Sequence, residues 1–174
     1  GLDFTDPSKL VSVNERLCLW TGMVKSRFLY KGKRYDVQTV CSPDRDEIAS
    51  EVISDENPRI RFRFPYPTGG HSDDACNWSS DGKHLTEVIK SSPHAVLLRH
   101  TIDATIYYIR VTWKDKADFK VTGRNSFLLS AKRRKIDFTV AFFQKSEYQQ
   151  SCLRTATDFH AVAQKAARYW MNYW

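Results

Sequence analysis

Between Pro65 and Lys83 the chain holds its densest set of side chains able to do chemistry: His71, Asp73, Asp74, Cys76, Asn77, Trp78 and Asp81, with His84 just beyond. Three chemistries are open to such a set. His71, Asp73 and His84 are metal-ligand types, but their spacing fits no familiar ligand pattern, so no metal is expected. Asp73, Asp74 and Asp81 are acids, and glycoside hydrolysis needs two acids about 5–9.5 Å apart across one bond; the sequence does not show that the loop brings any two to that distance. Trp78 beside Asn77 and Asp81, with Tyr66 at the loop entrance, suits a sugar-facing rim. An aromatic face packs on the C–H face of a pyranose while amide and carboxylate groups bond its hydroxyls. The plainest reading remains a hydrophilic loop, although loops of this length are usually functional or mobile.

Elsewhere the motif search returns little. GxSxG, HExxH, Walker and GxGxxG patterns are all missing from the sequence, which argues against several common enzyme classes. No motif calls for a cofactor. Tyr107, Tyr108 and Trp113 could form a stacking platform for nucleic acid, but aromatics at strand spacing are usually core, and no nucleic-acid partner is expected. The Lys132-Arg133-Arg134-Lys135 run sits between two apolar segments where a hairpin turn belongs, and a solvated turn explains it. The net charge of +7 favours anionic partners at long range. Cys18, Cys41, Cys76 and Cys152 form no CxxC. Cys18 and Cys41 fall in strand-like segments and are expected as buried apolar fillers.

The elements that must carry these residues are mostly strands. Arg59 to Phe64 alternates strictly, with Ile60, Phe62 and Phe64 on one face and Arg59, Arg61 and Arg63 on the other. Thr105–Trp113 puts Tyr107, Ile109, Val111 and Trp113 together. Lys135–Phe142 does the same for Ile136, Phe138, Val140 and Phe142. Weaker strands are expected at 16–20, 23–30, 34–41, 47–53, 85–89, 95–101, 117–122 and 126–129. Lys31-Gly32-Lys33 reads as a tight hairpin. This spacing argues for an all-β antiparallel sandwich.

One helix closes the chain, expected from Thr155 with Thr155 or Thr157 as its N-cap. Phe159, Val162, Ala163, Ala166, Trp170 and Tyr173 form its apolar stripe, with Trp174 alongside. The predicted organisation is therefore a sandwich over 1–154 and a helix over 155–174. Trp170, Tyr173 and Trp174 are expected at an interface with a following domain. No apolar run is long enough to span a membrane, and no signal peptide is visible.

Several phrases carry a family resemblance. Gly1-Leu2-Asp3-Phe4-Thr5-Asp6-Pro7, Val13-Asn14-Glu15-Arg16-Leu17-Cys18-Leu19-Trp20-Thr21-Gly22, Cys41-Ser42-Pro43-Asp44-Arg45-Asp46 and Phe64-Pro65-Tyr66 resemble the amino-terminal part of bacterial glycoside hydrolases. Ala166 to Trp174 is similar to their linker helix. In that family a galactose-mutarotase-like super-sandwich precedes an (α/α)6 six-hairpin barrel that holds the catalytic acid and base. The resemblance implies a non-catalytic domain with no catalytic residue of its own. It would support the barrel, through contacts within the same chain, and shape one wall of a carbohydrate cleft. It also implies a periplasmic or extracellular protein. A free-standing carbohydrate-binding module is the main alternative, and a basic nucleic-acid-binding domain a weaker one.

Overall fold

A computed structural model describes residues 1–71, 75–148 and 158–174, and among these residues alternating apolar positions give thirteen strands, with one helix longer than a turn. The first five strands are β1 (Leu10–Cys18), β2 (Met23–Tyr30), β3 (Lys33–Cys41), β4 (Glu47–Ser54) and β5 (Arg59–Arg63). Two short ones follow, β6 (Tyr66–Pro67) and β7 (Cys76–Asn77). Then come β8 (His84–Ser92), β9 (Ala95–Ile102), β10 (Thr105–Trp113), β11 (Ala117–Gly123), β12 (Ser126–Ala131) and β13 (Lys135–Gln144). The helix α1 spans Phe159–Tyr173.

An eight-stranded sheet runs in the order β1-β2-β3-β4-β13-β10-β9-β8, and a three-stranded sheet in the order β11-β12-β5. Every pairing is antiparallel. The core between the two sheets is built from the alternation read in the sequence. Ile60 and Phe62 enter it from β5 and Phe64 from the residue just after; Tyr107, Ile109, Val111 and Trp113 from β10; Ile136, Phe138 and Val140 from β13. Phe142 lies beyond the covered part of β13 and is exposed. The fold is thus an all-β sandwich with a C-terminal helix, as expected.

Turn chemistry sets the local registers. Lys31 and Gly32 both have positive φ, 49° and 74°, the two-residue turn whose twist suits a hairpin. It pairs Tyr30 with Lys33. Lys132 to Arg134 is not a hairpin turn. It carries the chain from β12 in the small sheet to β13 in the large one, because β12 pairs with β5 and β11 while β13 pairs with β4 and β10. Lys132 pairs with Asp118, and Lys135 Nζ lies 2.5 Å from Glu51.

The opposite face of the large sheet receives α1. Phe159, Val162 and Ala166 are buried there against Val40 and Ala49, with Met23, Ala163 and Trp170 packed around them. Asp158 is the N-cap, accepting a hydrogen bond from the Ala161 N–H at 2.9 Å. The expected caps Thr155 and Thr157, the domain boundary at 154 and Cys152 lie outside the described residues. Lys165 Nζ, 3.1 Å from Asp44, ties the helix to the β3–β4 turn. No helix among the described residues is long and apolar enough to cross a membrane.

Cys18 and Cys41 are exposed rather than buried, as is Cys76, and all three are free thiols. Strand position does not bury them: Cys18 ends the edge strand β1, which is exposed along its whole length, and Cys41 ends β3.

Candidate functional site

Three of the four rim candidates meet at one end of the sandwich. The loop after β5 folds into the β6–β7 ribbon, which sets Tyr66 opposite Asn77. Trp78 follows directly and is 47% exposed. Arg63, at the end of β5, reaches it twice. Its Nη2 donates to the Trp78 carbonyl at 2.9 Å, and its guanidinium carbon lies 4.7 Å from the ring centroid. A cation over an exposed indole contributes about 0.5–1 kcal/mol, so the ring is backed by a fixed charge. The arginine stripe therefore divides: Arg59 and Arg61 both pair with Asp3, Arg59 at 2.9 Å, while Arg63 serves the loop.

Each candidate has a defined hydrogen-bond state. The Asn77 side-chain oxygen accepts from both the N–H and the hydroxyl of Ser79 at 2.9 Å. Its amide nitrogen has no partner among the described residues and stays available to a ligand. The Tyr66 hydroxyl donates to the Asp103 carboxylate, at 3.2 and 3.3 Å to the two oxygens. The Asp103 charge, then burial, pushes the Tyr66 hydroxyl up from its ordinary pKa. Lys83 Nζ sits 5.2 Å from the Tyr66 ring centroid. Asp81 is exposed on the short 3-10 turn Asp81–Lys83, its carboxylate 3.9 Å from His84 Nε2.

Beneath the rim lies a buried polar chain that sequence reasoning missed. Thr86 Oγ1 is 2.7 Å from His100 Nδ1 and donates to Asn125 Oδ1 at 3.0 Å. Asn125 Nδ2 lies 3.2 Å from His84 Nε2 and 3.3 Å from the Asp81 carbonyl. We assign the hydrogens from one constraint: an amide oxygen can only accept. Thr86 spends its single hydrogen on Asn125, so His100 carries its proton on Nδ1 and donates to Thr86. Asn125 Nδ2 donates to His84 Nε2, so His84 carries its proton on Nδ1. Both imidazoles are neutral in this arrangement. Burial, reinforced by the neighbouring His84, lowers the His100 pKa from 6.5 to about 4. Burial also lowers that of His84. Arg124 Nε donates to the His84 carbonyl at 3.0 Å. The chain thus pins the backbone at Asp81 and His84 to β8, β9 and the β11–β12 turn, giving the rim a rigid base.

A signal for part of this was present. His100 falls on the inward positions of β9 with Val96 and Leu98, a polar residue in an apolar alternation. Asn125, Asp103 and Arg124 sit in turns and carried none.

Other groupings do not assemble. His84 points into the sandwich and is held by Asn125, whereas His71 is exposed on the loop; Asp73 and Asp74 lie outside the described residues. Tyr107 and Trp113 are core residues, while Tyr108 faces the other way, stacked on Phe143 at 5.8 Å. They form no common platform.

The interface candidates lie at the far end of α1. Trp170 is half-buried over Gly22, and Trp174 Nε1 donates to the Leu19 carbonyl at 3.1 Å. Yet Tyr173 and Trp174 remain 63% and 59% exposed, beside Leu19 and Trp20 at 55% and 60%.

No protein-family model matches the sequence, and no curated protein matches it. Solved structures do. A protein assigned as a kojibiose phosphorylase, from the human microbiome, superposes with a TM-score of 0.59 at 12% identity, over 93% of this chain and 25% of that one. A bacterial glucoamylase complexed with acarbose gives 0.63 at 14% identity, over 95% and 28%. The chain spans about a quarter of the length of each. At such identities the likeness is one of fold alone, a fold shared with about a quarter of each neighbour.

Proposed function

We propose that the chain is the non-catalytic N-terminal domain of a bacterial glycoside hydrolase. Its work is to support an (α/α)6 catalytic barrel and to shape the rim of the carbohydrate cleft. The observation that carries this is the group of exposed apolar side chains where the tip of α1 meets the β1–β2 turn. Leu19, Trp20, Tyr173 and Trp174 are each more than half exposed there, and Trp174 is bonded to Leu19. A domain seldom leaves several large aromatics together in water, and such patches mark contact with another protein surface. Trp170, Tyr173 and Trp174 are the residues assigned to that junction. Asn77, Trp78, Asp81 and Tyr66 are assigned to the sugar-facing rim. By the same resemblance the protein acts in the periplasm or outside the cell.

The test is to produce the chain alone and joined to the reading frame that follows codon 174. The chain alone should hydrolyse no aryl-glycoside or oligosaccharide. The longer protein should be active, and Trp174→Glu should lower its thermal midpoint more than that of the isolated chain. A reading frame that stops at codon 174 would refute the proposal.

A second reading has its own observation. Trp78 is exposed on a ring backed by Arg63, as a free-standing carbohydrate-binding module would require. It predicts calorimetric binding of a neutral oligosaccharide by the isolated chain, lost in Trp78→Ala. A flat response across a broad glycan panel would end it.

A further inference from the structure

The helix-bearing face of the large sheet holds a second surface, distant in sequence from the rim loop. Across β1, β2 and β3 runs a groove of about 720 Å3, within the size range of small-ligand sites. Arg16, Lys25, Arg27 and Arg34 line it, against one carboxylate, Asp36. Asp36 is already shared by two of them, at 2.5 Å to Arg27 and 3.3 Å to Arg34. Arg16 and Lys25 form no ion pair among the described residues. They are also register partners, directly opposite across β1 and β2. Like charges in that position repel, and a sheet gains nothing by the arrangement itself. Glu15, the acid adjacent in sequence, offers no relief. It lies on the other face of β1, where it accepts from the Ser26 hydroxyl at 2.7 Å.

We propose that this groove binds an acidic oligosaccharide, a short glycan bearing carboxylate or sulfate groups. The cations span three strands, about 10 Å at ordinary strand spacing, so a single small anion would leave part of the groove unneutralised. Guanidinium groups present the paired donors that carboxylate and sulfate oxygens accept. Ile53, 38% exposed on the groove wall, offers apolar surface to a sugar ring. Among the described residues no aromatic lines the groove, and single-stranded nucleic acid binders depend on aromatic stacking. The groove itself is read from its charges alone; the choice of a sugar as carrier rests on the function proposed above.

The experiment is calorimetry on the intact chain at low salt with four probes: tetragalacturonate, a heparin-derived tetrasaccharide, maltotetraose and an eight-residue oligothymidylate. One or both acidic tetrasaccharides should bind, with affinity falling as salt rises, and maltotetraose should not bind in this groove. Preference between the two acidic probes separates carboxylate from sulfate recognition. The double variant Arg16→Gln/Lys25→Gln should weaken binding at least tenfold, while Lys120→Gln on the small sheet should leave it unchanged. Both substituted side chains are exposed and have no ion-pair partner among the described residues, so circular dichroism should show an intact fold. No binding of either acidic probe, or binding indifferent to the double variant, overturns the groove without touching the aromatic junction. Oligothymidylate binding as tight as the best sugar overturns the glycan assignment.

Discussion

Acidification below pH 6.5 should loosen this domain through His100. The imidazole is 1% exposed and neutral, donating from Nδ1 to Thr86. Its pKa falls from 6.5 to about 4 because burial disfavours the cation. The unfolded chain takes up a proton at His100 below pH 6.5, and the folded chain does not until about pH 4. The unfolded state therefore binds more protons across that window, and stability falls as pH is lowered through it. Between pH 7 and pH 5 the loss from this one residue is about 2 kcal/mol, approaching about 3 kcal/mol by pH 4. The assay is urea unfolding at pH 7, 6 and 5 for the wild type and for His100→Gln, which retains a hydrogen-bonding amide but cannot ionise. Comparing the two slopes removes the contribution of His84, common to both. His100→Gln should be less stable at pH 7 but flatter with pH by about 2 kcal/mol over the two pH steps. Proton NMR of the wild-type imidazole gives an independent reading and should show no titration above about pH 5. Parallel pH dependences in the two proteins, or a His100 resonance that titrates near 6.5, would refute the argument from burial.

Three further changes test the packing. Gly22 has φ +63°, and a Cβ there would lie 2.3 Å from Trp170 Nε1; Gly22→Ala should cost about 1–2 kcal/mol for the left-handed backbone alone, and a red-shifted tryptophan emission should show Trp170 leaving its seat. Lys135→Met removes the cation 2.5 Å from Glu51 and leaves Glu51 and Asp137 buried at 5% and 3% exposure, so urea unfolding at pH 7 should show a loss of about 2–3 kcal/mol, below the usual range for a fully buried pair because the ammonium is partly solvated. Asp158→Ala removes the N-cap bond to Ala161 and should lower stability by about 1 kcal/mol, measured by the same unfolding.

The strands were legible where apolar residues recur at period two and one face meets the core. Met23–Tyr30 and Thr105–Trp113 coincide with their expected limits, and the inward residues of β5 and β10 are those the alternation names. The helix stripe was right where a sheet covers it and weaker beyond. Phe159, Val162 and Ala166 are buried, whereas Tyr173 has run past the sheet edge and is exposed. What the sequence hid depends on which strands become neighbours. Nothing near Lys132 says that β12 and β13 belong to different sheets, so the basic run read as a hairpin. The rim shows the same division. Asn77, Trp78 and Tyr66 are near one another in the chain and were found; Arg63, Asp103, His100 and Asn125 join them only through pairing between distant segments. Cys18 and Cys41 failed for a related reason: strand character predicts a face, while coverage of that face requires a partner layer.

Coverage also explains where function concentrates. The large sheet has eight strands and the small one three, so the inner face cannot be covered along its whole width. β1 is exposed throughout, and the sheet bearing it gains little from packing there. A strand kept under those conditions is free to carry unneutralised charge on one face and apolar side chains at its end. It does both, with Arg16 opposite Lys25 in the groove and Leu19 and Trp20 beside the tip of α1. Gly22 lets Trp170 close against the turn that joins β1 to β2, so helix and hairpin form one mechanical unit. A partner docked on the aromatic tip would therefore restrain the hairpin that forms one wall of the basic groove. The Gly22→Ala variant separates this linkage from simple destabilisation: it should loosen the groove, weakening acidic-sugar binding, while leaving the rim anchored by Asn125 undisturbed. Unchanged affinity in a variant whose tryptophan emission has shifted would show that the hairpin holds its shape without the helix.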